Sequence, residues 1–135
     1  MSSIKSVSES SLDKLLTQNL IDSTSKPKKY LLIYQSYPSS PHLEPTLSAL
    51  DSICSHPKTS QLFECIVTTS EYDSLMKHDE SIIQVDTTRD NEMRVLPEEE
   101  GLTAYDITQW LEMGTIELVS SGLWRDFIQF DRVDL

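Results

Sequence analysis

From residue 28 onward the chain reads as an α/β domain, a mixed four-stranded sheet with helices packed on it, and one extra helix on the N-terminal side. Three observations predict this. Short apolar runs of strand character alternate with amphipathic stretches of helical period, which implies parallel strands joined by helical crossovers. Two later runs follow one another with no helix between them, which implies an antiparallel edge. The chain has 135 residues, 38% of them hydrophobic, and a chain of that size buries about two-thirds of its unfolded surface, enough for one core.

The elements follow in order. Residues 1–9 are Ser-rich and are expected to be a mobile tail. Ser10 and Asp13 have capping-box spacing, and Leu12, Leu15, Leu16 and Leu20 then share one helix face. Tyr30-Leu-Leu-Ile-Tyr34 is a continuous apolar run of the kind that forms a central strand covered on both faces. After a turn with two prolines, a helix begins near Glu44, with Pro45 at its first position and Leu43, Leu47, Leu50 and Cys54 as its buried stripe. His56-Pro57 stops it. Leu62–Val67 is the second strand, and Ser70 with Asp73 caps a short helix through Lys77. Ser81–Val85 and Glu92–Leu96 are the third and fourth strands. Thr103 and Asp106 frame another capping box, Ala104, Ile107, Trp110 and Leu111 face one side, and Gly114 supplies the stop. The expected organisation is one domain over 10–120 and an aromatic C-terminal extension over 121–135.

Charge is distributed unevenly. Residues 1–60 carry six Lys against five carboxylates, and residues 61–135 carry five bases against seventeen acids, so the halves are +1 and −12 and the whole is −11. Such a field repels nucleic acid and anionic lipid, since both are bound by Lys and Arg neutralising phosphates. It attracts a basic protein instead. No segment approaches the roughly 20 apolar residues a membrane span needs, and no targeting segment is visible. Cys54 and Cys65 lie inside apolar segments and are expected to be reduced, buried thiols, which places the protein in cytosol or nucleus.

The order β-α-β-α-β-β-α resembles the thioredoxin/glutaredoxin-like superfamily. The stretch Tyr30-Leu-Leu-Ile-Tyr-Gln-Ser-Tyr-Pro-Ser-Ser-Pro-His-Leu43 is placed like that family's first strand and active-site turn. Gly101–Ile116 is similar to the closing helix of glutaredoxins. The resemblance implies a thioredoxin-like three-layer sandwich over residues 28–119. It also marks departures. Pro38-Ser-Ser-Pro41 stands where the family carries Cys-x-x-Cys or Cys-x-x-Ser, and no proline precedes the third strand, where Asp79-Glu-Ser81 stands instead. A serine hydroxyl is not ionised at neutral pH and cannot replace a thiolate in disulfide exchange. A degenerate member of this kind is expected to keep the fold as a binding scaffold.

Other constellations carry less. Ser36, Ser39 and Ser40 could activate a bound thiol in the manner of serine-type glutathione transferases, against ordinary turn chemistry. His42, His56 and His78 are 14 and 22 residues apart, without zinc-site spacing. Asp86, Asp90 and Glu92 lack the turn glycine of a calcium loop. No catalytic, cofactor or metal site follows, and no cofactor is implied. Leu123, Trp124, Phe127 and Phe130 are read as anchors for a partner's groove, on the view that the two-layer core closes without them. The expected function is a non-catalytic protein-interaction subunit whose partner is a protein, basic in character. A glutathione-binding transferase using a serine of the Pro38–Pro41 turn and an acidic inhibitor mimicking nucleic acid are the alternatives.

Overall fold

The structure is a computed structural model, and it describes residues 4–7, 29–36, 40–69, 80–90, 92–97 and 102–127. Their regular elements are the strands β1 (Ile4–Ser6), β2 (Tyr30–Ser36), β3 (Phe63–Thr69), β4 (Ser81–Asp86) and β5 (Glu92–Pro97), and the helices α1 (Leu43–Cys54) and α2 (Ala104–Gly114). Two 3-10 turns follow, Ile116–Leu118 and Leu123–Asp126. The strands form one mixed sheet in the order β1-β3-β2-β4-β5. β1 and β2 flank β3 in parallel, β4 runs antiparallel to β2, and β5 runs antiparallel to β4.

β2 holds the centre because its first five residues are apolar on both faces of the pleat, and all five are buried. Tyr30, Leu32 and Tyr34 point to one face, where they pack with Leu50, Ile53, Phe63, Ile82, Ile107 and Leu111. Leu31 and Ile33 point to the other, with Ile66 and Val85. The first face is roofed by α1 and α2, and holds most of the described core.

Local chemistry sets the helix ends. The Thr103 hydroxyl accepts from the Asp106 N–H at 3.1 Å, and the Asp106 carboxylate accepts from the Thr103 N–H at 3.2 Å, so both halves of the capping box form. Pro45 sits at the third rather than the first position of α1, still inside the turn whose N–H groups have no intrahelical acceptor. Gly114 ends α2 without a left-handed φ. The Arg94 guanidinium occupies the space a Cβ would take, so close approach is what favours glycine there. Gly122 does need its freedom, at φ 68°.

The structure corrects the sequence reading at three points. The sheet has five strands, because Ile4–Ser6, read as part of a mobile tail, pairs with Cys65–Val67. Cys54 and Cys65 are joined in a disulfide rather than left as thiols. The α1 crossover returns the chain so that the last turn of α1 lies over β3, with Cα atoms 6.4 Å apart, inside the range a bridge spans. The argument for a reducing compartment loses its ground with that bond. Leu123 and Phe127, read as part of an extension, are buried in the core. Leu118, Leu123 and Phe127 fill the space that α1 and α2 leave over the first face. The expected helices over 10–20 and 70–77 lie outside the described residues. No helix among the described residues is long and apolar enough to cross a membrane.

Candidate functional site

A cleft with lining residues of mixed charge lies at the end of the sheet where β2 begins. Tyr30 opens β2, Asp86 ends β4 and Glu92 opens β5, and with Gln84, Arg89, Arg94 and Gly114 they line a space of about 120 Å³. Ser40 and Pro41, the described residues of the Pro38–Pro41 turn, come after the opposite end of β2.

A polar lattice stiffens this end. Gln84 alternates with Ile83 and Val85 on β4, and its side chain is buried on the first face. Burial of an amide requires partners. Gln84 donates to the Thr115 hydroxyl at 2.6 Å and accepts from Arg94 at 2.5 Å. Arg94 also donates to the Trp110 carbonyl at 2.9 Å and lies 4.5 Å from the centre of the Trp110 ring. That carbonyl belongs to the last turn of α2, where positive charge is favoured by the helix dipole. Burial pulls the proton affinity of the Arg94 guanidinium down, though it stays far above neutrality.

Glu117 gathers a second set. Its carboxylate accepts from the Lys29 ammonium and, at 2.6 Å, from the Tyr30 phenol. Burial works against the charge on Glu117, but these hydrogen bonds outweigh it and hold the carboxyl below its ordinary value. Burial first, and the neighbouring carboxylate next, push the Tyr30 phenol well above its ordinary value. Tyr30 is thus a donor at neutral pH, not a base. The lattice joins β2, β4, β5 and α2 through groups that satisfy one another, which makes it a brace rather than a reaction centre.

The surface beside the brace is apolar. Met113, Ile116 and Val119 are 83%, 73% and 58% exposed. They stand within seven residues, interleaved with Glu112 and Glu117. Met93 and Val95 on β5 are half exposed as well. Sequence reading missed these five as surface groups, since apolar residues beside a helix end or on a strand are ordinarily assigned to the core. Gln84 was legible in principle, as a polar residue at a core position of β4.

The aromatic segment lies elsewhere. Leu123 is fully buried and Phe127 nearly so, both packed against α1 and α2. Trp124 is half-buried, edge-on to Tyr105 with ring centres 5.8 Å apart, and Arg125 lies over its ring. Phe130 lies outside the described residues. Glu112 bolts this segment to α2, accepting from the Ser121 hydroxyl at 2.8 Å and from the Trp124 N–H at 3.4 Å. His56 and Lys58 hold its other side, with His56 Nε2 2.8 Å from Asp126 and Lys58 donating to the Ser121 carbonyl. His56 Nδ1 accepts from the Lys58 N–H, so Nε2 carries the proton that faces Asp126. That arrangement is a latch.

The remaining candidates are placed as follows. Ser40 accepts from the His42 N–H at 3.1 Å, the chemistry of an ordinary turn. Ser36 is buried with no hydrogen-bond partner among the described residues, and Ser39 and His78 lie outside the described residues. Asp86 accepts from the Thr88 N–H and hydroxyl, which shapes the β4–β5 turn. No group of three metal-ligating side chains comes together among the described residues. No protein-family model matches the chain, and no curated protein matches it.

Proposed function

We propose that this chain is a non-catalytic protein-interaction subunit on a thioredoxin-like scaffold, with a basic protein as its partner. The single observation that carries the reading is the exposed apolar group Met113, Ile116 and Val119 set among carboxylates. Large apolar side chains gathered in a polar rim are the usual makings of a protein contact. The scaffold reading draws support from the β1-β3-β2-β4-β5 order, the α1 crossover and the antiparallel β4–β5 hairpin. Cysteine usage supports a scaffold over an oxidoreductase, because the two cysteines bridge α1 to β3 and serines stand in the Pro38–Pro41 turn. A charge of −11 favours a basic partner over nucleic acid.

The test compares the tagged full chain with the triple variant Met113→Ser, Ile116→Ser, Val119→Ser, each recovered from native extract. The wild type is expected to retain a stoichiometric protein that high salt weakens. The variant is expected to keep its melting temperature and lose that protein. A wild type that retains nothing in stoichiometric amount overturns the reading.

A further inference from the structure

The two edges of the sheet are not alike. Among the described residues β1 forms one edge, three residues long, and places Lys5 there in an ion pair with Glu64 at 2.7 Å. A short strand carrying a lysine is a usual way of keeping an edge from pairing with another chain. β5 forms the other edge and is six residues long. Its two apolar residues on the second sheet face, Met93 and Val95, are 50% and 54% exposed. The cation that β5 possesses is withdrawn from the edge, because Arg94 turns to the first face and is fastened to Gln84 and Trp110. An edge strand presents every second N–H and C=O outward. Among the described residues no strand pairs with the outer side of β5, which offers ladder groups from Glu92 to Leu96 before Pro97, beside two open apolar positions.

Charge decides what fits. Asp86, Asp90 and Glu92 surround the hairpin end of β5. Arg89, the cation of the hairpin, faces Asp86 at 3.8 Å. A second copy would bring the same acids and another −11 to the same edge, so self-pairing is opposed. An extended segment alternating Lys or Arg with apolar residues matches both features. Its backbone would continue the ladder, its apolar residues would cover Met93 and Val95, and its cations would meet the acids at the hairpin end.

We infer that the outer edge of β5 accepts an extended basic segment of the partner protein as a sixth strand. This deepens the interaction reading above and rests on it. The probe is a synthetic ten-residue peptide alternating Lys and Val, titrated into the full chain with hydrogen exchange read at the β5 amides. A second peptide has the same sequence with alternate backbone nitrogens methylated, which removes ladder donors and keeps the charge. The unmodified peptide is expected to slow exchange in β5, and the methylated one to bind at least tenfold more weakly. The variant Met93→Thr, Val95→Thr keeps strand-forming residues and is expected to keep its melting temperature while binding the peptide at least tenfold more weakly.

Equal binding of both peptides, or slowed exchange elsewhere with none in β5, overturns strand addition. The interaction reading survives that result if the Met113, Ile116, Val119 variant still loses its protein. Concentration-dependent dimerisation abolished by the Met93, Val95 variant would also overturn the inference, by giving the edge to a second copy.

Discussion

Glu117 shows how single residues bind this fold together. It stands in the first 3-10 turn, and its carboxylate takes hydrogen bonds from Lys29 and Tyr30 at the start of β2. Its folded pKa is lower than its unfolded one, so its contribution to stability is full above the ordinary carboxylate value of about 4.3 and fades as pH falls through the folded value. Glu117→Gln is therefore expected to lower the melting temperature at pH 7, with the gap to wild type closing below about pH 4. A gap unchanged down to pH 2 would contradict this. The cysteines give a second expectation. Unfolded in guanidinium without reductant, the chain should titrate no free thiol, and after reduction it should titrate both. Replacing both with Ala should cost about 3 kcal/mol, the usual worth of closing a loop of this order. Two titratable thiols without reductant would refute the bridge. The Thr103–Asp106 cap was legible in the sequence because both its halves are local. The bridge was not, since it depends on how α1 lands over β3.

The segment from Ile116 to Phe127 carries the clearest lesson among the elements. Its aromatic, charged sequence reads as a detached anchor, yet Leu123 and Phe127 complete the first-face core. The reason is geometric. α1 and α2 cover β2, β3 and β4 incompletely, and the chain leaving α2 returns through Gly122 to fill the remaining space. Leu123→Ala should cost about 2–5 kcal/mol in chemical denaturation, because it empties a fully buried position. Trp124→Ala should cost less, since that ring is half-buried. The reverse order would return this segment to the role of a free anchor. The strands β2 to β5 and both described helices were legible from periodicity within a few residues. β1 was not, because Ile4-Lys-Ser6 is short and mostly polar, and its pairing depends on where β3 lies in the folded sheet.

For the molecule as a whole, charge and surface apolarity point the same way. The sheet end lined by Tyr30, Arg94 and Glu117 is a self-satisfied brace, and what remains open beside it is apolar surface within an acidic field. Composition made the acidic field legible in the sequence, and the basic partner proposed above is what such a field would attract. The exposed positions were not, because Met113, Ile116 and Val119 have the same letters as core residues, and only the outward side of the α2 end and the course of the chain after Gly114 expose them. The central claim, that this chain works as one part of a larger protein assembly, is tested most directly by its native mass. Measured in fresh extract at low salt, the full chain should run well above its own 15.4 kDa and fall to that value when salt is raised. A chain that runs as a lone 15.4 kDa species at every salt concentration would contradict the claim.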